Sequence, residues 1–353
     1  MGSMANVPLE KLRSLVEQLT GTPAPLDVSE MPGGASTRRF FRVALEGGRS
    51  AVAMYVPEAG KPDEIAKVEE TGRRWPFLEV RDLLEARGVC VPRVLGDGSA
   101  DGFLVVEDLG DDTLARYLER APHRREAVYR LAVADLARAQ RALESLPKGC
   151  IVTERAFDYD LLRWEIDHFR EWALEARDVV LSAEERATFD RGAHSLASII
   201  ADLPRGFVHR DYQSRNLMVR GPEGDERLVW IDFQDALLGP RVYDLVALLN
   251  DSYQTFDDAF VSERLDEFAA YHGLDAAGRA ALGREFDLVT VQRKLKDAGR
   301  FVFILHKKGD DTYLKFVAPT FEKARRALAR LRDERALSGL SELLDRVADR
   351  VTR

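Results

Sequence analysis

The chain has 353 residues, room for two compact domains or one bilobal unit. Acidic residues outnumber basic ones 60 to 52, giving a formal charge of −8, which argues against a surface built for nucleic acid or an anionic membrane. Cys90 and Cys150 lack metal-ligand spacing and no apolar run approaches the ~18 residues of a membrane span, so a cytoplasmic protein is expected, with Met1-Gly2-Ser3 read as a tag remnant.

In chain order, the spacing of Leu9, Leu12, Leu15, Val16 and Leu19 predicts a helix stopped by Gly21. The alternating Phe41, Val43 and Leu45, then Gly47-Gly48, then the apolar run 51–56 predict a β-hairpin. Phe77, Val80, Leu83 and Leu84 predict a helix over 76–86 that ends at Gly88. Two further strands are expected at 92–95 and 103–106. Beyond 110 the pattern turns helical, at 129–146, 157–176, 183–203, 243–250 and much of 258–350. The exception is 207–233, where LMVRGPEGDERLVWIDF reads as two short strands about a Gly-Pro-Glu-Gly turn. The expected architecture is α+β and bilobal: a small antiparallel-sheet lobe at 1–106, a connector at 107–110, and a large, mainly helical lobe at 111–353.

The stretch HRDYQSRN, residues 209–216, is polar between two apolar runs. Phosphoryl transfer needs a carboxylate to orient the acceptor hydroxyl, hard oxygen ligands for magnesium, and a cradle for the phosphates. Asp211 and Asn216 meet the first two needs at the spacing H-R-D-x-x-x-x-N, and Asp232 closes the hairpin where a second Mg2+ ligand would sit. Gly33, Gly34, Ser36 and Thr37, leading into the first strand of the hairpin, are candidates to cover the phosphates of ATP. The connector, including Glu107 and Leu109, would turn its backbone to the adenine edge. In protein kinases a lysine on the third strand holds the phosphates, in a V-A-I-K pattern. Here AVAM ends in Met54, so Arg38, Arg39, Lys61 or Lys67 would have to serve, or magnesium and backbone alone.

With WIDFQDALLGPRVYDLVALLNDSY added to HRDYQSRN, the chain resembles the aminoglycoside phosphotransferase and choline kinase superfamily, which implies a protein-kinase-like fold. Within it, ASTRRFFRV, AVAM, PFLEVRDLLEARGVCVP, GFLVVEDLGDDTL and VQRKLKDAGRFVFIL are similar to the bacterial anomeric kinases of N-acetylmuramate and N-acetylglucosamine in peptidoglycan recycling. Met54 is itself a point of likeness; Tyr55 departs from it, standing where an aspartate is expected. The resemblance implies Asp211 as base, Asn216 and Asp232 on magnesium, and His209 and Asp244 as supports of the catalytic loop. Asp244 as a plain helix-terminal carboxylate fits equally.

Candidate sugar contacts are Arg210, Gln234 and Asp235, together with Glu165 and Trp172 from one helical face and Arg293 from the basic run that includes Lys294, Lys296 and Arg300. The bland reading of these residues is an aromatic packing stripe, a finished turn and a solvated face. A monomer acting on a small-molecule sugar is expected. The competing expectations are an aminoglycoside or amino-alcohol phosphotransferase and a nucleotide-binding pseudokinase.

Overall fold

The computed structural model describes residues 7–21, 27–32, 38–56 and 74–352. The glycine-rich Gly33, Gly34, Ser36 and Thr37 lie outside them, as do Lys61 and Lys67.

The small lobe is one five-stranded antiparallel sheet built from β1 (Val28–Glu30), β2 (Arg39–Leu45), β3 (Arg49–Tyr55), β4 (Val94–Gly98) and β5 (Phe103–Glu107), in the order β1-β2-β3-β5-β4. Two helices cover its two faces. α1 (Leu9–Thr20) turns Leu12 and Val16 onto Phe41, Val43, Ala51, Ala53, Phe103 and Val105. Gly96 and Gly98 of β4 make room for it, since a Cβ at either would lie within 3 Å of a leucine methyl of α1. α2 (Pro76–Ala86) begins with proline at its first position and ends before Gly88, whose φ is 77°. It packs Leu78 on Met54 and Leu104, because alternation along β3 and β5 sends those two residues to the opposite face from Ala53 and Val105.

The large lobe runs through α3 (Leu114–Arg120), α4 (Arg125–Ala142), α5 (Ile151–Glu154), α6 (Tyr159–His168) and α7 (Ala183–Ala201). Four short strands follow: β6 (Arg205–Val208), β7 (Leu217–Arg220), β8 (Arg227–Trp230) and β9 (Leu237–Pro240). β7 pairs with β8, and β6 pairs with β9 around them. The rest is α8 (Tyr243–Leu249), α9 (Asp258–Tyr271), α10 (Ala276–Lys308), α11 (Val317–Arg330) and α12 (Ser338–Val351). Side chains from all these helices close one apolar core.

Two features differ from expectation. The sequence pattern assigns no strand to β6 or β9, and the structure pairs them. The helix expected over 157–176 breaks at His168 into a π-helical turn, Phe169–Leu174, and a 3-10 turn, Glu175–Arg177. The reason is a crossing with α10, where a Cβ on Gly299 would stand 2.6 Å from the carbonyl oxygen of His168. Backbone meets backbone there, and the inserted residue of the π turn re-aims the aromatic side chains that follow.

Candidate active site

The candidate catalytic segment is the loop between β6 and β7. Its backbone is pinned from below by Asp244 at the start of α8. This fully buried carboxylate accepts from the His209 N–H at 2.7 Å and from the Arg210 N–H at 3.0 Å. Burial pushes its pKa up to about 7, against the pull of those two donors and Arg293. Asp251 holds the far end, accepting from the Ser214 N–H at 3.0 Å and from the Ser214 hydroxyl. Arg210 adopts φ 78°, which a non-glycine residue holds only when its surroundings enforce it.

His209 links this loop to the strand carrying the second carboxylate. Its Nε2 lies 3.1 Å from the Ile231 carbonyl, and its Nδ1 accepts from the Asp211 N–H at 3.3 Å. Those partners fix one neutral tautomer, with the proton on Nε2. Burial lowers its pKa to about 4, so the ring is uncharged at neutral pH. The next residue, Asp232, has φ 63°, and the Ile231 N–H donates to the Asn216 carbonyl at 3.0 Å. The β7–β8 hairpin thus brings Asn216 and Asp232 side by side at the cleft.

Asp211 is partly open to the cleft. Arg293 of α10, itself almost wholly buried, donates to Asp211 Oδ1 at 3.1 Å and to the Arg210 carbonyl at 2.6 Å. Burial would raise the Asp211 pKa, but Arg293, Lys296 and Arg210 outweigh it and hold the carboxyl at about 2. Asp211 is therefore a carboxylate at any physiological pH.

The side-chain amide of Asn216 donates to the Asp211 carbonyl at 2.9 Å, which leaves Oδ1 of Asn216 to serve another partner. Partial burial raises the Asp232 pKa from its ordinary value, with Arg38 opposing and Asp211 and Asp235 reinforcing. A carboxylate so placed gains from a neighbouring cation. Among the described residues no three His, Cys, Asp or Glu side chains gather into a protein-only metal cage. One amide oxygen and one carboxylate instead fit Mg2+, which keeps water and substrate phosphate as its other ligands.

The connector is braced on both sides. Arg42 of β2 donates to Asp108 at 2.8 Å and to Asp111 at 2.9 Å, and the Ser50 hydroxyl donates to Asp108 at 2.6 Å. Glu107 accepts from Arg93 at 3.0 Å, and the Leu109 carbonyl accepts from Arg220 at 3.0 Å.

The sequence-read substrate residues divide. Gln234 and Asp235 lie beside Asp232, with Gln234 Nε2 donating to Asp232 at 3.1 Å and to Asp235 at 2.9 Å. Glu165 was expected to offer its carboxylate to sugar hydroxyls. It is fully buried, and its oxygens accept from Arg210 at 3.1 Å and Gln292 at 2.6 Å. Its role in the structure is to anchor Arg210. Trp172 packs edge-on against Phe303 with Lys307 over its face. Lys294 donates to Asp297 at 2.6 Å and to Ser252 at 2.9 Å. Sequence reading missed Gln292 and Tyr243. Both are buried in the same cluster, and Arg293 lies 4.9 Å from the centre of the Tyr243 ring.

A family model described as the phosphotransferase enzyme family matches residues 27–282. An N-acetylmuramate/N-acetylglucosamine kinase of Pseudomonas aeruginosa is 34% identical over 92% of this chain and 89% of its own length. One of the same name from Neisseria meningitidis is 31% identical over 81% of each. Among solved structures, the complex of gentamicin with APH(2")-IIa superposes with a TM-score of 0.58 at 16% identity, covering 91% of this chain and 97% of that one. A Plasmodium vivax ethanolamine kinase gives 0.57 at 14%, covering 86% and 82%. These two likenesses support the bilobal, protein-kinase-like fold. Described strand and helix order, loop geometry and matched length agree: the chain belongs to the phosphotransferase enzyme family.

Proposed function

We propose that this phosphotransferase moves the γ-phosphoryl group of ATP to the anomeric hydroxyl of N-acetylmuramate and N-acetylglucosamine, a step of peptidoglycan recycling. The observation that carries the reaction is the loop geometry: one ionised carboxylate, Asp211, fixed by Arg293 and set beside the Asn216–Asp232 pair. The acceptor is taken from relatives matched along most of their length.

In this reading Asp211 accepts the proton of the sugar hydroxyl as its oxygen bonds to the γ-phosphorus. The bond from that phosphorus to the bridging oxygen breaks and ADP leaves, with no phosphoenzyme. Asn216 and Asp232 would hold Mg2+, which when bound neutralises charge gathering on the phosphoryl oxygens.

The cleft wall favours a neutral or anionic acceptor over a polycation. Arg293 touches Asp211, and Lys296 follows about one turn later on α10. Lys296 is 3.4 Å from Asp297, longer than a strong charge-assisted bond, because Lys294 holds Asp297 more closely. Tyr243 Oη, Gln234 Oε1 and Asp235 Oδ1 are buried without a hydrogen-bond partner among the described residues and suit the hydroxyls of a sugar.

The test is ATP consumption over a panel of N-acetyl sugars, amino alcohols and aminoglycosides, with products located by phosphorus NMR. A C1 phosphate on an N-acetyl sugar is expected. Phosphorylation of kanamycin-like or choline-like compounds instead would reject the acceptor. Tight ATP binding with no turnover on any compound would point to a pseudokinase.

A further inference from the structure

Transfer from ATP calls for a protein cation on the phosphates in addition to the metal. On β3 the position that holds it in protein kinases is Met54, 3% exposed and packed between Leu78 and Leu104. Nor does Glu79 of α2 wait there for a partner across the lobe, since it accepts from the Ile151 N–H at 2.6 Å.

The cations of β2 and its lead-in divide by direction. Arg39 donates to Glu30 at 2.8 Å on the outer edge of the sheet and lies over Phe41. Arg42 is held by Asp108 and Asp111 at the connector. Arg38 crosses the cleft instead. Its guanidinium is 3.2 Å from Asp232 Oδ1 and 3.8 Å from Asp235, a contact between residues 194 apart in sequence. Arg38 is 18% exposed and Asp232 41% exposed at their side chains, so the pair meets at the open cleft and not inside a core.

We infer that Arg38 is the phosphate-holding cation of this enzyme, filling from the start of β2 the role that a strand lysine cannot fill at Met54. Its position at Asp232 places a planar, permanently charged fork where nucleotide phosphates and their metal would meet the small lobe. In the nucleotide-free chain the guanidinium supplies positive charge to Asp232. With nucleotide bound, the same donors would turn to phosphate oxygens, leaving the Asp232 carboxylate available as a metal ligand. This inference rests on the kinase reading above.

The test measures the affinity of the full chain for ATP and for adenosine by calorimetry, with and without Mg2+, in wild type, Arg38→Gln and Arg38→Lys. Loss of one or two charge-assisted bonds predicts that Arg38→Gln weakens ATP binding about tenfold or more. Adenosine binding stays within about twofold, since adenosine presents nothing to a guanidinium, and Arg38→Lys recovers part of the loss. An unchanged ATP-to-adenosine ratio in Arg38→Gln overturns the assignment. So does a lower melting temperature with that ratio intact, which would make Arg38 a strap between the lobes. Wild type that binds no ATP rejects the kinase reading together with this inference, whereas failure at Arg38 alone leaves that reading standing.

Discussion

Arg293 holds Asp211 by two bonds at once, one to the carboxylate at 3.1 Å and one to the carbonyl of the preceding residue at 2.6 Å. The proposed base is thereby fixed in position as well as in charge. Removing the base and removing its holder should therefore look different in kinetics.

Asp211→Ala is expected to lower kcat by about 10²–10⁴-fold, the usual range for a lost general base, with ATP affinity nearly unchanged. Arg293→Ala should cost about 10–100-fold in kcat, and Arg293→Lys should restore part of it, because an ammonium reaches one acceptor but not both in the fork geometry. Steady-state assays paired with nucleotide titration check this. Normal turnover by Asp211→Ala would remove Asp211 from the mechanism.

Asp244→Ala leaves the N–H groups of His209 and Arg210 buried without their acceptors. At ~1–3 kcal/mol per unsatisfied group, the two groups should lower the unfolding free energy by about 2–6 kcal/mol. Urea denaturation measures it. A loss under ~1 kcal/mol would show that the loop relaxes to find other acceptors.

Glu226, near the tip of the β7–β8 hairpin, accepts from Arg124 at 2.8 and 2.9 Å, from the Tyr117 hydroxyl at 2.7 Å and from the Gly224 N–H at 3.1 Å. Arg124 first, then Tyr117 and backbone donors, overcome burial and hold its pKa at about 2. Its folded pKa lies below the unfolded value of about 4.3, so the stabilisation is present in full above that value and is lost as pH falls toward 2. The melting-temperature gap between wild type and Glu226→Gln should be widest near neutrality and shrink below pH ~4.5. A gap constant from pH 7 to 3 would mean the charge of Glu226 contributes nothing.

Lys296→Gln tests how the cleft reads acceptor charge. The ratio of kcat/KM for N-acetylmuramate to that for N-acetylglucosamine should fall about tenfold or more, since only the former carries a carboxylate for an ammonium to hold. An unchanged ratio would place the acid group elsewhere.

Local signals were legible in the sequence where they were strong. Pro76 and Gly88 frame α2 within a residue, and the Gly-Pro-Glu-Gly turn locates the β7–β8 hairpin. Long-range pairings left no such trace. β6 and β9 are four residues each, and the Leu-Leu-Gly-Pro of β9 carries the punctuation of a loop. The π turn escaped because one inserted residue barely disturbs a 3.6-residue period. At the candidate site, the meeting of Asp211, Asn216 and Asp232 was readable because a loop and a hairpin set their spacing. The helical face of Glu165 was not enough to reveal its partners, Arg210 and Gln292, which lie 45 and 127 residues away. The reach of Arg38 to Asp232 is of the same kind: it depends on how two lobes close.

Arg210 and Asp232 share a left-handed backbone, and one imidazole joins the residues next to them. That conformation strains a residue branched at Cβ, so valine, isoleucine and threonine are disfavoured at both positions before any chemistry is considered. Substitutions at the two sites should favour glycine, asparagine, aspartate, histidine and unbranched side chains. A library randomised at residues 210 and 232, selected only for folded protein and not for turnover, should already be depleted of β-branched residues.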